Sequence, residues 1–545
     1  MKVGNFVEMV ERSIIQNWDL RSMSLYKGEG YTYGQVGEKI LQFHQIFEKI
    51  GIKPNDKIAL IGTNDHHWGT VYLATVTYGA VIVPILQDFH PNDVVHVVEH
   101  SDSLLLFVTK AIYEKLDKEH LKHLHAIILL DDFTVIESKN EDISLAFGSR
   151  LQKKLDLNKE TFKLPKISND ELAVISYTSG TSGFSKGVML PHWSLAANVQ
   201  FGVDYIGLKP GDNIVSFLPL AHAYACAFEF LATFVMGCDI TFLGKVPSPT
   251  IILQAFKEIR PRLIFSVPLI IEKIYRMRVK PKLSESPVKY LIKIPLLNRI
   301  VYRKINQQLS EAFGGNFIQI IIGGAALNAE VEDLLNKIGF RYTVGYGMTE
   351  CGPLISYAPW NEHKKYSCGK PIPCLTVKID SSDPQNIAGE ILVKGVNVMK
   401  GYYKSPEITE ATFTVDGWLR TGDLGIQSKD GFIFIKGRSK NMLLGPSGQN
   451  IYPEEIEAKI NNMPYVLESL VIQKDGKLQA LIVPDKEAIE RDGVSNDELQ
   501  TIMNNNQKHL NSHVPSYMNV TKFIIQDMEF EKTAKKSIKR YMYNS

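Results

Sequence analysis

The sequence lacks a long apolar run and has few cysteines. No stretch of about 18 consecutive apolar residues occurs, so no membrane-spanning helix is predicted. Glu8 and Glu11 interrupt the N-terminal stretch, and no signal peptide is expected. The five cysteines are an odd number and form no CxxC pair, which argues against a disulfide framework or a zinc site. Reduced thiols in the cytoplasm are therefore expected.

The chain also lacks an excess of charge of one sign. Its 61 Lys and Arg against 59 Asp and Glu leave a formal net charge of +2, so no nucleic-acid partner is expected. No internal repeat and no low-complexity linker is found. A length of 545 residues exceeds the usual single-domain size. We therefore predict at least two domains joined by a short hinge, and we leave the oligomeric state open.

The hydrophobic pattern predicts an α/β fold. Short apolar runs such as Lys57–Ile61, 80–85 and 104–108 alternate with helical stretches, which favours mostly parallel sheets covered by helices. Thr32 with Gln35 predicts a capping box at the start of one of these helices. From about Val377 the pattern changes to short strands and glycine turns, which predicts an antiparallel sheet or a small β-barrel-like part. The last hundred residues return to mixed α/β, beginning with a helix after Tyr452.

A glycine-rich segment at 177–187 follows the apolar run 172–176. It combines three glycines, several hydroxyl side chains and the cation Lys186. Small residues let backbone N–H groups approach phosphate oxygens closely, so the segment is a candidate phosphate cradle. It lacks the spacing of a Walker A loop. Taken by itself, a Ser/Gly/Thr segment of this kind is more often a solvated surface turn.

A basic stretch at 276–304 carries nine Lys and Arg residues against the single acid Glu285, with apolar residues between them. One interpretation is a pair of surface helices with a solvated face. The other is an amphipathic surface that makes transient contact with an anionic membrane, at its inner face, where a lipid substrate would be found.

Six motifs follow one another in a fixed order. They are Tyr177–Gly187, Pro219–Tyr224, Gly323–Leu327, Tyr346–Glu350, Trp418–Asp423 and Lys436–Lys440, and a seventh segment at 448–457 closes the set. With them the sequence resembles the adenylate-forming superfamily of acyl-CoA synthetases, luciferases and adenylation domains, and within it bacterial long-chain fatty acid–CoA ligases. The resemblance extends over about 31–540. It implies a large N-terminal AMP-binding domain and a small, mobile α+β C-terminal domain.

The resemblance implies an ATP-dependent acid–thiol ligase that uses Mg²⁺ and coenzyme A. A fatty acid, with a long chain favoured, would be activated as acyl-AMP and then transferred to the CoA thiol. An acyl carrier protein could replace CoA as the acceptor, and a nucleotide- or lipid-binding homologue with impaired catalysis is a further alternative.

The family motifs imply roles for individual residues of this chain. Thr349 would bond the α-phosphate and Glu350 would bind Mg²⁺, since a carboxylate beside a phosphate needs a divalent cation between them. His222, Gly323 and Gly347 would contact the acyl substrate. The implied nucleotide-binding residues are Thr178, Ser179, Gly180, Thr181, Ser182, Gly183, Lys186, Gly323, Gly324, Ala325, Tyr346, Gly347, Thr349, Asp423 and Arg438.

The family performs its two half-reactions with the C-terminal domain in two orientations. The matching pivot is Lys440, which implies domains at 1–439 and 440–545. The implied thioester-forming face comprises Gly448, Gln449 and Asn450.

The chain departs from the family near its C-terminus. The family pattern Thr-x-x-Gly-Lys-Ile-x-Arg has a catalytic lysine, but here Ser537 stands at the lysine position and Lys536 at the glycine position. Serine supplies no cation. Three alternatives follow: Lys536 or Lys535 acts in a shifted register, adenylation is weak, or the chain is an altered form.

Overall fold

The computed structural model describes residues 1–151, 153–178, 186–244, 248–284, 286–295, 297–444, 449–474, 476–533 and 537–543. Within these ranges, no helix combines the length and apolarity that crossing a bilayer requires. The predicted α/β class is confirmed: helix-covered mixed sheets form the large N-terminal part, and a separate α+β unit follows it.

The largest sheet has eight strands, and its centre is parallel. The central strands Lys57–Ile61 and Val81–Ile85 are buried apart from the half-buried Lys57, because helices cover both faces of a parallel sheet. In spatial order the strands are Gly401–Tyr402, Lys186–Pro191, Leu172–Thr178, Val81–Ile85, Lys57–Ile61, Ser103–Val108, Ala126–Leu129 and Val135–Ser138.

A second group of strands is also largely parallel. An isolated bridge between Ile214 and Leu263 connects its two sheets. The first sheet comprises Asn213–Ser216, Asp239–Phe242, Arg21–Leu25 and Gly30–Thr32, and the second comprises Ile264–Ser266, Ile320–Ile322 and Tyr342–Val344.

The part after Val377 is antiparallel, as the sequence predicts, but its strands do not form a barrel. Four strands make an open sheet in the order Leu375–Asp380, Gly389–Gly395, Leu419–Gln427 and Ile433–Arg438. No bridge between its two edge strands is seen in the described residues, so the sheet is not closed on itself. The barrel-like expectation is therefore corrected to a four-stranded sheet. A small sheet precedes it, with strands Tyr346–Gly347, Leu354–Tyr357 and Lys370–Pro371.

The C-terminal part has a hydrophobic core of its own. Ile456, Ile460, Met503 and Val520 belong to a buried cluster drawn only from residues beyond 440. Its strands are Leu443–Leu444 with Asn450–Ile451, and Val466–Lys474, Lys477–Pro484 and Val520–Ile525. The helix predicted after Tyr452 is confirmed at Pro453–Ile460.

The helices begin where sequence signals place them. The predicted capping box is present: the Thr32 hydroxyl accepts from Gln35 N at 3.2 Å, and the Gln35 side chain accepts from Thr32 N at 2.8 Å. The α-helices are Phe6–Gln16, Tyr33–Lys49, His66–Tyr78, Pro91–His100, Lys110–Tyr113, Glu141–Arg150, His192–Tyr205, Thr233–Val235, Pro249–Ile259, Pro268–Ile274, Lys280–Ser284, Val288–Leu291, Leu297–Ala312, Ala329–Lys337, Pro406–Thr412, Pro453–Ile460, Lys486–Asp492 and Asn496–Asn511. Ala225–Ala232 and Tyr275–Val279 are π-helical.

Candidate functional site

The base of the glycine-rich segment is a β-hairpin. Leu172–Thr178 and Lys186–Pro191 pair antiparallel, and Thr178 lies directly opposite Lys186. The two ends of the predicted cradle are therefore adjacent at one edge of the large sheet. Residues 179–185, and with them the predicted residues Ser179, Gly180, Thr181, Ser182 and Gly183, lie outside the described residues.

Glu350 lies beside this hairpin base. Its carboxylate accepts a 2.9 Å hydrogen bond from the phenol of Tyr402, and its backbone oxygen accepts from Met399 N at 2.8 Å. Tyr402 is placed there because Gly401–Tyr402 pairs with the strand that begins at Lys186. The Lys186 ammonium lies 5.2 Å from the centre of the Tyr402 ring. One buried tyrosine thus connects the acid to the cation.

Three charges act on one another at this point. Burial lowers the pKa of the Lys186 ammonium, the positive charge of Lys440 lowers it further, and the Glu350 carboxylate opposes both. Lys186, Glu350 and the neighbouring Thr349 are all half-buried, so the cluster remains open to solvent. Two cations near one carboxylate form a net positive pocket, which suits a polyanion that brings a divalent cation with it.

Tyr346, Asp423 and Arg438 form a second array. The Tyr346 phenol donates to Asp423 Oδ2 at 2.7 Å, and Arg438 Nε lies 3.0 Å from Asp423 Oδ1. Asp423 and Arg438 are cross-strand partners in the four-stranded sheet. Burial raises the pKa of the Asp423 carboxyl and the Arg438 charge lowers it, while Glu350 raises it. The Glu350 charge therefore acts on both arrays, which lie in one site.

Glycines allow close backbone approach in a further wall, formed by the segment after Ile320–Ile322 and by Tyr346–Gly347. A Cβ on Gly323 would lie 3.2 Å from the ring of Tyr224, whose hydroxyl donates to Ile321 O at 2.9 Å. A Cβ on Gly347 would lie 2.3 Å from Pro353 O, which no side chain tolerates. Gly324 and Ala325 are exposed immediately after the buried strand Ile320–Ile322. This wall has bare backbone where a flat group could lie.

The loop that carries His222 is held from two sides. Asn64 Nδ2 donates to Leu218 O at 2.6 Å, and its Oδ1 accepts from Leu220 N at 3.0 Å. Glu229, in the π-helix, accepts from Leu218 N at 3.2 Å. Burial raises the pKa of the Glu229 carboxyl well above its usual range, while its hydrogen bonds to Ser216 and Leu218 oppose this effect. His222 is half-buried at the end of this fixed loop.

Sequence reasoning missed the side chains that fix the loops. Asn64 was not predicted, nor were Tyr402 and two asparagines that hold the turn after Glu350. Asn198 Nδ2 and Asn397 Nδ2 donate to Cys351 O at 3.2 and 2.8 Å, and Asn198 Oδ1 accepts from Leu354 N at 3.0 Å. A single amide in an apolar stretch, as at Asn198, is the only signal that could have indicated them.

The predicted C-terminal motif contacts its own domain. Arg540 pairs with Glu457 and lies 3.9 Å from Glu454, both in the helix Pro453–Ile460. Ser537 is exposed, and its backbone bonds to Thr533. No contact between Ser537 and the large domain is seen in the described part of the chain. Lys535 and Lys536 lie outside the described residues.

The predicted pivot lies in a short 3₁₀ turn, Ser439–Asn441, two residues after Arg438. Contacts on both sides of it reach the helix Pro453–Ile460: Asn441 Nδ2 donates to Glu454 Oε1 at 2.6 Å, and Lys436 Nζ lies 3.3 Å from Glu455. Of the predicted thioester-forming face, Asn450 is exposed and Gln449 half-buried, and Gly448 lies outside the described residues.

Two family models match the sequence. The model of the AMP-binding enzyme matches residues 12–403, and the model of the AMP-binding enzyme C-terminal domain matches residues 441–544.

Curated relatives are similar over most of the chain. The long-chain-fatty-acid–CoA ligase FadD15 of Mycobacterium bovis is 28% identical over 81% of this chain and 75% of its own length. Long-chain-fatty-acid–CoA ligase 4 of Saccharomyces cerevisiae is 28% identical over 80% of this chain and 69% of its own. The chloroplastic long-chain-fatty-acid–[acyl-carrier-protein] ligase AEE15 of Arabidopsis thaliana is 26% identical over 84% of this chain and 73% of its own length.

Solved structures share the fold. ATP-bound MatB from Rhodopseudomonas palustris superposes with a TM-score of 0.77 at 23% identity, covering 98% of both chains. The anthranilate CoA ligase AuaEII in complex with anthranoyl-AMP gives a TM-score of 0.80 at 18% identity, covering 99% of this chain and 96% of that chain.

Proposed function

Because this chain belongs to the AMP-binding enzyme family, we propose that it is a fatty acid–CoA ligase, and that its preferred acids have long chains. The observation that carries the proposal is the single site formed by Lys186, Glu350 and Tyr402 beside Tyr346, Asp423 and Arg438. The relatives named for long-chain fatty acids support the choice of acid.

The Asp423 array would hold the nucleoside. An ionised carboxylate accepts hydrogen bonds from both ribose hydroxyls, and the Arg438 charge favours the ionised form by opposing the effect of burial on the pKa of Asp423. The adenine would lie between Tyr346 and the bare backbone at Gly323, Gly324 and Ala325.

The Lys186 cluster would hold the triphosphate. Lys186 and Thr178 at the hairpin base would meet the β- and γ-phosphates, and Thr349 the α-phosphate. Mg²⁺ prefers six oxygen ligands, and no group of three or more His, Cys, Asp or Glu able to hold a metal is found among the described residues. Glu350 therefore fits as a single protein ligand, with phosphate oxygens and water completing the set. When bound, Mg²⁺ would neutralise phosphate charge.

The chemistry then proceeds in two half-reactions. A carboxylate oxygen of the fatty acid attacks the α-phosphorus, the bond to the β-phosphate breaks, and pyrophosphate leaves. The CoA thiolate then attacks the acyl carbon of acyl-AMP, and AMP leaves. The cations at Lys186 and Lys440 stabilise negative charge on the phosphates, while His222, Gly323 and Gly347 would border the acyl carboxylate.

We also propose domains at 1–439 and 440–545, with Lys440 as the pivot between the two half-reactions. Arg438 and Asn441 flank it, and each contacts a different domain. Rotation at this point would exchange the residues that face the acyl-AMP, with Gln449 and Asn450 brought toward the thiol.

Two alternatives are favoured by specific observations. An acyl carrier protein as acceptor is favoured by the similarity to AEE15 of Arabidopsis thaliana. Impaired adenylation is favoured by Ser537, which carries no charge at the position of the family lysine.

Pyrophosphate release and thioester formation test these possibilities together. The chain would be supplied with saturated fatty acids of increasing length, each with CoA or with acyl carrier protein bearing its phosphopantetheine. We expect pyrophosphate release that depends on the fatty acid and thioester formation on CoA. Thioester formation on the carrier protein alone would support the first alternative. ATP binding without pyrophosphate release from any acid would support the second.

A further inference from the structure

Residues 286–295 and 297–310 form a basic surface with an apolar centre. The segment 286–310 contains five Lys and Arg residues and no Asp or Glu. Lys289, Lys293, Arg299, Arg303 and Lys304 have no acidic partner within ion-pair distance among the described residues, in contrast to Lys280, which pairs with Glu330 at 3.3 Å. No acid among the described residues therefore neutralises the positive charge of this surface by an ion pair.

Apolar side chains stand exposed among these cations. Tyr290 is 63% exposed, Ile294 46% and Ile300 66%, and Leu297 is also exposed. A merely solvated helix face would carry polar residues at these positions. Four exposed large apolar residues within eleven positions instead mark a contact surface.

The helix Leu297–Ala312 presents two different faces. Tyr302, Ile305 and Leu309 pack against the main hydrophobic core. Ile300 points away from that core, with Arg303 and Lys304 one turn further along the same side. Because the core already receives its own residues from this helix, Ile300 contributes little to folding, and its exposure is not explained by packing.

We propose that residues Tyr290, Ile294, Leu297 and Ile300, with Lys289, Lys293, Arg299, Arg303 and Lys304, bind the surface of an anionic lipid bilayer. Apolar residues inserted at the headgroup level and flanked by Lys and Arg are the composition of an interfacial helix. The charge is complementary to anionic headgroups. The choice of a bilayer rather than another anionic partner rests on the proposed function, because fatty acids partition into bilayers.

Binding to vesicles tests the proposal. The full chain would be co-sedimented with vesicles of equal parts phosphatidylglycerol and phosphatidylcholine, and with vesicles of phosphatidylcholine alone. We expect binding to the anionic vesicles that weakens as salt is raised. The triple variant Lys289→Glu, Lys293→Glu, Arg299→Glu should bind about 100-fold more weakly or weaker still, since each basic residue near the surface contributes about fivefold.

A matched control distinguishes the effect of charge at this surface from the effect of the net charge of the whole protein. The triple variant Lys154→Glu, Lys159→Glu, Lys163→Glu makes the same change of net charge at exposed lysines elsewhere, and it should bind like the parent. The double variant Tyr290→Ser, Ile300→Ser keeps the charge and should also lose binding, which tests insertion. Equal melting temperatures for all variants would establish that each is folded.

Two outcomes would overturn the proposal. One is equal vesicle binding by the two triple variants, and the other is saturable binding of an acidic acyl carrier protein at this surface with no vesicle binding. Pyrophosphate release from detergent-dispersed fatty acid would be measured in parallel on the same proteins. Its absence in the parent would count against the ligase function alone, whatever the vesicles show.

Discussion

Arg438 Nε lies 3.0 Å from Asp423 Oδ1, although the arginine is 67% exposed and the aspartate only 7%. The pair joins a buried carboxylate to a side chain two residues before the predicted pivot at Lys440. The ion pair therefore lies within the large domain, immediately before the predicted pivot.

The pH dependence of adenylation should change when Arg438 is replaced by Gln. Burial raises the pKa of Asp423, and Arg438 opposes this effect, so its loss should raise the pKa further. Since only the ionised carboxylate accepts from both ribose hydroxyls, the acid limb of ATP–pyrophosphate exchange should move to higher pH. An unchanged acid limb would mean that Asp423 does not act as an ionised acceptor.

Selectivity for ribose over deoxyribose should depend on Asp423. We expect the parent to prefer ATP over 2′-deoxy-ATP by about 10- to 100-fold, because the 2′-hydroxyl donates a hydrogen bond to a charged group. The Asp423→Asn variant should lose most of this preference. Exchange rates with the two nucleotides would be compared. Tyr346→Phe is the matched control, because it removes the 2.7 Å bond to Asp423 but keeps the carboxylate, and it should keep the preference.

The Mg²⁺ requirement should depend on Tyr402. Tyr402→Phe removes the 2.9 Å hydrogen bond that orients the Glu350 carboxylate, so the apparent Mg²⁺ affinity should fall by about 2- to 10-fold, the usual range for one hydrogen bond. Titration of adenylation with Mg²⁺ measures this. The neighbouring Tyr403→Phe, whose hydroxyl bonds Asp102 instead, should leave the titration unchanged.

A rigid backbone at the predicted pivot should slow one half-reaction more than the other. Proline fixes φ, so Lys440→Pro should slow thioester formation by about tenfold or more beyond its effect on adenylation. Single-turnover assays of acyl-AMP formation and of its reaction with CoA would be compared, with Lys440→Ala controlling for the lost charge beside Lys186. Equal losses in both half-reactions would count against the pivot.

Restoring a cation at the C-terminal motif should accelerate adenylation. Ser537→Lys should raise the rate of acyl-AMP formation by about 10²–10³-fold if the position acts as in the family. Ser537→Gln, similar in length but neutral, should have no such effect. A lysine variant no faster than the parent would favour a neighbouring lysine or a different slow step.

Much of the fold could be predicted because its signals are local. The strand Lys57–Ile61 and the capping box at Thr32 were predicted from apolar periodicity and from one pair of side chains, and both are present. The barrel-like expectation failed because short strands and glycine turns encode antiparallel pairing, whereas closure depends on which edge strands meet. That choice is made by packing over many residues.

For the site, the residue types and their order can be read from the amino-acid sequence: the glycine-rich segment, the acid at Glu350, the carboxylate at Asp423 and the serine at Ser537. The pairings depend on the folded chain, in which Tyr402 bonds Glu350, Asn64 fixes the loop before His222, and Asp423 pairs with Arg438. In the sequence, Tyr402 and Glu350 are 52 residues apart, Asn64 and Leu218 are 154 apart, and Asp423 and Arg438 are 15 apart. Hydrogen bonds join groups by distance in space, and a single polar residue carries no local pattern that names its distant partner.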